Sequence, residues 1–362
     1  MDKIIKNVLK KIEDSGYEAY LVGGFVRDYL LGIKSLDIDI CTNALPKDLH
    51  SIFPGNNNSN NYGGFNLKIK NYNIDITTFR KEINYENRRP TEIVYINKLE
   101  EDIKRRDFTI NSICMNKDGK IIDLVNGVND LNNRIIKMIG NIDEKIEQDP
   151  LRILRAIRFA SILNFELDKE LYNKIKENYE LVKTLSITRI KQEINKILLN
   201  KNFIKGINLL KEFKILDILE LKYNEDITYV NDICGMWAQI EFNDNFTFTK
   251  QENINIINIK EIIKGGVINN ETLYNYGLYK SLVACDILSI DKKEINKMFN
   301  KLPIKFERDL DITNEEIITL LNIEPSKIIK EIKNELIIEI LNYRLKNKKS
   351  ELKKYILNRK EM

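Results

Sequence analysis

The sequence holds a single histidine, His50, among its 362 residues. Sites that need several histidines are therefore excluded, which removes His-Asp metal phosphohydrolases and polyhistidine zinc sites from consideration. Any catalysis has to rest on carboxylates, cations and a bound metal ion.

Cysteines and long apolar runs are also scarce. The four cysteines lie too far apart for the close spacing of a zinc site or a redox motif, so we interpret them as reduced, mostly buried thiols of a cytoplasmic protein. No apolar run reaches the ~20 residues that a membrane span needs. The amphipathic first helix predicts neither a signal peptide nor a membrane anchor, so no membrane contact is expected.

Charge of neither sign is in large excess, since 58 basic and 54 acidic residues leave a formal charge of +4. This excludes a histone-like polycation but not a nucleic-acid partner, because local patches set the field that a phosphate backbone meets. Between Asn342 and Met362 the chain carries six Lys, two Arg and two Glu. This segment is either a solvated terminal helix or a contact for nucleic acid.

The composition, with 43% hydrophobic and 31% charged residues, is typical of a globular protein. Up to about residue 140, short strand patterns alternate with helix patterns and are separated by Gly, Pro and Asn. From about residue 144 onward the pattern is nearly all helical. The fold expected is an α+β domain followed by an elongated helical remainder.

The strongest chemical signal is the pair Asp37-Ile-Asp39 in a predicted strand. Residues i and i+2 of a strand point to the same face, so the two carboxylates would repel each other unless a divalent cation such as Mg²⁺ lay beside them. Bound metal ions could activate a hydroxyl and stabilise a leaving pyrophosphate. Asp75, on a second predicted strand, is a candidate third carboxylate. The alternative is a surface strand with exposed acids.

Two further segments carry groups suited to a nucleotide. Gly23 and Gly24 stand where a strand turns into a helix, so backbone N–H groups could approach a phosphate there, and Arg27 could pair with one of its oxygens. Further along, Arg106 could neutralise a triphosphate, and Asp107 could accept a hydrogen bond from a ribose 2′-hydroxyl, which would select ribonucleotides. The alternatives are a plain turn and an Arg/Asp ion pair at a helix start.

The stretch QDPLRILRAIRF places an arginine at every third position. Pro150 suits the first helical position and Asp149 suits the N-cap, which is the alternative, structural role of that residue. Steps of three residues wind slowly round a helix, so Arg152, Arg155 and Arg158 are expected to form a sloping ridge.

Five motifs follow one another in order between about residues 20 and 200: LVGGFVRDYLLG…LDIDICTNALP, RRPTEIVY…LEEDIKRRDFTINSI, DLVNGVNDL, QDPLRILRAIRFA and SITRIKQEINKIL. Together they resemble the bacterial tRNA nucleotidyltransferase/poly(A) polymerase family, the class II CCA-adding enzymes. The resemblance implies a polymerase-β-like nucleotidyltransferase head at residues 1–143 and a helical neck with a nucleotide-templating helix at 144–215. It also implies a helical body at 216–290 and a basic, tRNA-binding tail at 291–362.

The resemblance assigns the metal and the phosphates to particular side chains. Asp37 and Asp39 match the family's metal ligands, expected here to hold Mg²⁺, and Asp75 stands where relatives often carry Glu. Gly24 and Arg27 match triphosphate contacts. In the RRD motif, Arg106 matches a further triphosphate contact, and Asp107 matches the residue that reads the ribose.

The resemblance also implies that Asp149 and Arg152 read the incoming base. Cytosine and adenine both present an amino donor beside a ring-nitrogen acceptor, which an Asp acceptor next to an Arg donor fits; uracil and guanine present the reverse order. Unpaired buried polar groups cost about 1–3 kcal/mol each, so the wrong base is rejected. Arg155 and Arg158 would brace this pair. Where the family commonly has Glu, this chain has Gln148, which can still accept a hydrogen bond.

Two motifs of the family predict structural contacts rather than chemistry. DLVNGVNDL matches the hinge between head and neck, where Gly127 would permit a bend. In the last motif, Arg189 and Glu193 are one turn apart and are expected to pair with each other.

The function implied by the resemblance is addition of C, C and A to the 3′ end of tRNA from CTP and ATP, with release of pyrophosphate. Narrower relatives, an A-adding enzyme or a poly(A) polymerase, stay open as alternatives. The loop with Arg88-Arg89-Pro90 argues against addition of C alone, because CC-adding relatives tend to lack it. A catalytically silent RNA-binding protein is the alternative from another class, and the intact Asp37/Asp39 pair argues against it.

Overall fold

The computed structural model of the chain describes residues 1–54, 64–86 and 89–359. The chain divides into two compact units, Met1–Glu220 and Leu221–Met362. The division of the sequence into four parts stays a prediction.

The first unit is built on a mixed six-stranded sheet with the strand order β3-β4-β2-β1-β7-β8. Strand β2 runs parallel to β4 and antiparallel to β1, while β5 and β6 form a separate hairpin. The strands are β1 Ala19–Val22, β2 Asp37–Thr42, β3 Gly64–Ile69, β4 Tyr72–Thr78, β5 Arg80–Glu86, β6 Arg89–Tyr95, β7 Cys114–Met115, β8 Ile121–Ile122, and a short parallel pair, β9 Ile135–Ile136 with β10 Glu166–Leu167.

Strand β2 shows why this sheet presents acids on one face. Ile38 and Ile40 are fully buried, whereas Asp37 is exposed and Asp39 half-buried. Alternate side chains of a strand point to opposite faces, so burying the two isoleucines turns both carboxylates to the other face.

Helices surround the sheet and continue beyond it to Glu220. The central one, α7, packs against α9 and α10. The helices of this unit are α1 Lys3–Asp14, α2 Gly24–Leu30, α3 Pro46–Ile52, α4 Leu99–Arg105, α5 Gly127–Asn132, α6 Ile142–Gln148, α7 Leu151–Leu163, α8 Lys169–Asn178, α9 Ile187–Leu198, α10 Phe203–Glu212 and α11 Ile215–Ile218, with 3₁₀ turns at Thr109–Asn111 and Tyr179–Thr184.

The second unit is almost entirely helical. Its main core includes Ile317, Leu336, Leu352 and Ile356, each at most 1% exposed. One of its helices, Asn270–Leu288, is interrupted at Gly277, whose φ is 78°. Its elements are β11 Lys222–Tyr223, α12 Ile233–Trp237, β12 Ile240–Glu241, α13 Lys250–Gly265, α14 Asn270–Leu288, α15 Lys292–Asn300, a 3₁₀ turn Glu307–Asp309, α16 Asn314–Leu321, α17 Lys327–Leu341 and α18 Lys349–Arg359. Across the described ranges, none of the helices is long and apolar enough to cross a membrane.

Two sequence expectations need correction. Helix α7 begins one residue later than predicted, with Pro150 at the cap position, although the Asp149 carboxylate still accepts a hydrogen bond from the backbone N–H of Leu151 at 3.3 Å. At Gly127, a Cβ would lie 2.3 Å from the carbonyl oxygen of Thr109, so close packing requires glycine there, and the bend stays a prediction.

The second correction concerns the expected pair Arg189–Glu193. Arg189 instead contacts Asp149 at 3.3 Å. Glu193, which is 3% exposed, pairs with Arg158 of helix α7 at 2.6 Å and with Lys196 at 2.9 Å. Glu193 therefore has one partner from the packed helix α7 and one within α9, and Arg189 has its partner outside α9.

Candidate active site

A cavity of about 620 Å³ opens on the first unit, and nearly every residue proposed from the sequence lies on its wall. Its lining comes from strand β2, helix α2, the segment after α4, and helices α7 and α9. The predicted residues that line it are Gly23, Gly24, Arg27, Asp37, Asp39, Arg106, Asp107, Asp149, Arg152, Arg155 and Arg158.

Asp75 is the predicted residue that lies outside this lining. It stands directly beside Asp39 in the parallel pairing of β2 with β4, and its carboxylate accepts a hydrogen bond from the Asn66 side chain at 2.6 Å. Its negative charge contributes to the electrostatic field at Asp39.

The turn between β1 and α2 comes very close to the acidic pair. A Cβ built on Gly23 would lie 2.9 Å from Oδ2 of Asp39, and the φ of this glycine is +78°. Any L-amino acid with a side chain would be strained here and would crowd the carboxylate, so glycine is required.

The acidic pair is electrostatically poised for a cation. Burial, together with the negative charge of Asp37, raises the pKa of Asp39 from its ordinary value of 3.8 to about 6, and Arg106 only partly opposes this. A buried carboxylate beside another carboxylate is stabilised in its ionised form by a bound metal ion. Within residues 1–54, 64–86 and 89–359, no group of three or more His, Cys, Asp or Glu side chains is arranged to hold a metal ion. A divalent cation beside Asp37 and Asp39 could take further ligands from substrate or water oxygens.

Arg27 is held rigidly at the start of α2. Its Nε and Nη2 donate to Oδ1 of Asp28 at 2.8 and 2.7 Å, and its Nη1 donates to Oδ1 of Asn111 at 2.7 Å. The side chain is buried except for a small part on the cavity wall. A cation fixed in this way is preorganised for an anion such as a phosphate.

Arg106 is fixed by a buried acid. Its Nε and Nη2 donate to Oδ2 of Asp102 at 3.2 and 3.0 Å, and Asp102 is fully buried. Burial alone would raise the pKa of Asp102, but the guanidiniums of Arg106 and Arg105 outweigh burial and lower it. Asp102 is therefore ionised and holds two arginines in place.

Asp107 is joined to helix α7. Its Oδ2 accepts hydrogen bonds from Nε of Arg155 at 2.8 Å and from Nη2 of the same residue, and its Oδ1 accepts one from the backbone N–H of Phe108 at 2.8 Å. Burial would raise the pKa of Asp107, but Arg155 outweighs it and the pKa is lowered. The proposed ribose reader is thus an oriented, ionised carboxylate.

Asp149 and Arg152 are oriented by separate partners. Asp149 accepts from Leu151 through Oδ1 and from Nη2 of Arg189 through Oδ2, each at 3.3 Å. Arg152 is 8% exposed, and its Nη1 donates to the carbonyl oxygen of Lys145. Both side chains lie on the cavity wall with an acceptor and a donor available in fixed positions.

The sequence interpretation missed the residue on which the arginines converge. The Phe159 ring lies on the cavity wall, with the guanidinium carbons of Arg158, Arg27 and Arg155 at 4.1, 5.4 and 5.6 Å from its centroid. Such contacts between cations and an aromatic face hold the guanidiniums in position. An aromatic residue directly after the third arginine was the available signal.

Comparison with known proteins shows which family this chain belongs to. Models of the poly(A) polymerase head domain, of an RNA- and SrmB-binding site of polymerase A and of tRNA nucleotidyltransferase domain 2 match residues 19–137, 164–223 and 245–356. The CCA-adding enzyme of Ligilactobacillus salivarius is 34% identical, covering 92% of this chain and 91% of its own length, and that of Staphylococcus haemolyticus is 32% identical, covering 97% and 96%. The chain belongs to the CCA-adding enzyme family.

A solved CCA-adding enzyme shares the fold along the whole chain. The crystal structure of the Bacillus stearothermophilus CCA-adding enzyme in complex with CTP matches with a TM-score of 0.90 at 25% identity, covering 100% of this chain and 98% of that chain. The predicted resemblance to CCA-adding enzymes, and the α+β fold with a polymerase-β-like head followed by helices, are therefore confirmed.

Proposed function

We propose that this protein adds C, C and A to the 3′ end of tRNA, from CTP and ATP and with release of pyrophosphate. The carrying observation is that one cavity holds an acidic pair, fixed cations and an oriented Asp149/Arg152 pair, in a member of the CCA-adding enzyme family. The acidic pair and the fixed cations suit nucleotidyl transfer, and the Asp149/Arg152 pair suits selection of a base.

Asp37 and Asp39 are proposed to hold Mg²⁺, because burial and the neighbouring charge of Asp37 raise the pKa of Asp39, and a divalent cation beside the two carboxylates would offset both effects. Bound there, Mg²⁺ would supply Lewis-acid polarisation of phosphate oxygens and charge neutralisation at the leaving pyrophosphate. Asp75 adds negative charge behind Asp39, and we propose that it acts in this way rather than from the cavity wall.

The triphosphate is proposed to lie against helix α2 and the segment after α4. The turn at Gly23 and Gly24 leaves backbone N–H groups without side chains in the way. Arg27 is held by Asp28 and Asn111, and Arg106 is held by the fully buried Asp102. Asp107 accepts a hydrogen bond from the ribose 2′-hydroxyl, which selects ribonucleotides over deoxyribonucleotides.

Base selection is proposed to rest on Asp149 and Arg152. The carboxylate accepts from the amino group of cytosine or adenine, and the guanidinium donates to the neighbouring ring nitrogen. Uracil and guanine would place donor against donor and acceptor against acceptor, which costs about 1–3 kcal/mol for each unpaired group. Arg155 braces this arrangement through Asp107, and Arg158 does so through Glu193 and the Phe159 ring.

We propose that the tRNA is gripped through its backbone by basic residues near the end of the chain. Lys346, Lys348 and Lys354 are exposed, and recognition of tRNA shape needs phosphate contacts rather than base contacts.

The parts proposed for the chain are the head at 1–143, the templating neck at 144–215, the body at 216–290 and the tRNA-binding tail at 291–362. A cytoplasmic location is proposed as well, since all four cysteines are free and buried.

A single assay tests the function. tRNAs ending at the discriminator base, at C or at CC are incubated with each nucleoside triphosphate alone and with CTP plus ATP, and the 3′ ends are sequenced. The proposal expects all three tRNAs to finish as CCA and to stop there. Long A tails would favour a poly(A) polymerase, and extension restricted to the CC-ending tRNA would favour an A-adding enzyme.

A further inference from the structure

Lys145, on helix α6, is a charged residue that the proposed function does not use. It is only 9% exposed. Its ammonium donates to the carbonyl oxygen of Lys104 at 2.9 Å and to the carbonyl oxygen of Arg106. The second of these carbonyls belongs to the peptide bond that joins Arg106 to Asp107, so the ammonium holds the main chain between the proposed phosphate contact and the proposed ribose reader.

The same residue also contacts the base-reading side of the cavity. The main-chain carbonyl of Lys145 accepts the hydrogen bond from Nη1 of Arg152. One residue therefore joins the segment of Arg106 and Asp107 to the arginine proposed to read the base. The side chain makes the first connection, and the backbone makes the second.

Lys145 acts from outside the nucleotide cavity. It lines a second cavity of about 550 Å³ instead, whose wall shares Glu82, Arg105 and Arg152 with the first. A residue in this place influences a bound nucleotide through the groups that it holds, so its role is positioning.

Burial of the ammonium is costly, which argues that it is retained for more than packing. Burial, and then the positive charge of Arg152, lower the pKa of Lys145 from its ordinary value of 10.5 to about 8. An apolar side chain of similar length would fill the space without this cost. It would, however, leave the two carbonyl groups without their donor.

We propose that Lys145 is a positioning residue for sugar and triphosphate recognition: its ammonium holds the Arg106–Asp107 peptide in the orientation that turns both side chains to the nucleotide. The inference rests on the proposed function of the cavity. Because the side chain acts on Asp107 while only the backbone acts on Arg152, loss of the side chain should impair recognition of the ribose and spare recognition of the base.

The test compares Lys145→Met and Lys145→Arg with the parent, and with Lys104→Met as the control. Lys104 is an exposed residue of the same segment, so its substitution removes one positive charge and keeps the carbonyl that Lys145 contacts. The ratios of kcat/KM for CTP over dCTP and for CTP over UTP are measured on tRNA. Binding of CTP and dCTP without tRNA is measured by calorimetry, and melting temperatures verify folding.

For Lys145→Met we expect KM for CTP to rise about tenfold and the preference for CTP over dCTP to fall about tenfold, the effect of one charge-assisted hydrogen bond. The preference for CTP over UTP should stay within about twofold. Lys145→Arg, which can donate to both carbonyls, should restore most of the ribose preference, and Lys104→Met should match the parent.

An unchanged ribose preference in Lys145→Met would overturn the inference, and so would an equal loss of both preferences or a failure of Lys145→Arg to recover. If Lys145→Met does not fold, Lys145→Gln, whose amide is shorter and uncharged but still donates through its N–H groups, is expected to give an intermediate ribose preference, and a parental value would overturn the inference. A parent protein that does not produce CCA ends would instead refute the proposed function, while the calorimetric comparison of CTP with dCTP would still decide the role of Lys145.

Discussion

The two units bury very different kinds of residue. Among its described residues, the first buries six charged side chains at 9% exposure or less, and these are Arg27, Asp102, Asp130, Lys145, Arg152 and Glu193. Among the described residues of the second unit, the buried polar side chain is Ser281, whose hydroxyl donates to the carbonyl oxygen of Gly277 at 2.9 Å. The second unit otherwise keeps apolar side chains in its core and charged ones outside.

This difference shows that the charges buried at a cost in stability lie in the unit that holds the cavity. Burying a charge costs free energy unless a partner is fixed beside it, so natural cores usually avoid it. Five of the six lie on the cavity wall or contact a residue that does, whereas Asp130 accepts a hydrogen bond from Thr109 at 2.7 Å. The second unit has a largely apolar core, and the tRNA contact proposed for it lies on its surface.

The largest expected effect is on the acidic pair of the first unit. Asp39→Asn should lower nucleotide addition by at least about a thousandfold, because a metal-binding carboxylate is lost. The variant should nevertheless melt at a temperature equal to or above that of the parent in EDTA, since it no longer buries a carboxylate with a raised pKa. Asp118→Asn is the control, as Asp118 is exposed and lies 3.6 Å from Lys6 at the surface. Retained turnover in Asp39→Asn would show that the metal assignment is wrong.

The stability difference between this variant and the parent should depend on pH. The pKa of Asp39 is about 6 in the folded protein, above its ordinary value of 3.8. Above pH 6 the folded parent bears the full cost of the buried charge; as the pH falls from about 6 towards 4, the folded state takes up the proton first and its stability rises. The advantage of Asp39→Asn in EDTA should therefore shrink across this window. A constant difference from pH 8 to pH 4 would contradict the burial argument.

A smaller effect is expected from the base-reading pair. The double variant Asp149→Ala, Arg152→Ala should lose about a hundredfold of its preference for CTP and ATP over UTP and GTP, since two unpaired groups no longer penalise the wrong base. Sequencing of products made with all four triphosphates measures this. The double variant Asp143→Ala, Lys174→Ala removes a surface ion pair of 2.9 Å in the same unit and should keep the parental preference. If the Asp149→Ala, Arg152→Ala variant kept the parental preference for CTP and ATP, the proposal that the protein serves as the template would be wrong.

The smallest effect is expected on the surface of the second unit. Replacing Lys346, Lys348 and Lys354 by alanine should weaken tRNA binding about tenfold or less and lower the slope of log Kd against log salt by about 2, with CTP binding unchanged. Substitution is a cleaner test than truncation at Asn342, because truncation would also remove Leu352 from the core.

The control for this experiment is a matched loss of charge elsewhere in the same unit. Replacing Lys292, Lys293 and Lys297 of helix α15 by alanine removes three exposed charges at a distance in sequence from the basic segment. Equal losses in the two triple variants would mean that overall charge, rather than the basic segment after Asn342, attracts tRNA.

The sequence by itself determined the local geometry of the site. Asp37 and Asp39 share a face because strand side chains alternate, the two glycines follow a strand end, and the arginines recur along one helix. The order of these motifs also determined the family and the fold class. Local spacing is enough for the geometry because each of these features depends on residues a few positions apart, whereas the family and fold class rest on the order of motifs along about half of the chain.

Only the tertiary structure decided which side chain holds which. Arg155 contacts Asp107 over 48 residues of sequence, Arg189 contacts Asp149 over 40, and Lys145 reaches the Arg106 carbonyl over 39. The expected pair Arg189–Glu193 was wrong for the same reason. A charged side chain takes its partner from the elements that pack against it, and helix packing brings together groups that no local pattern relates.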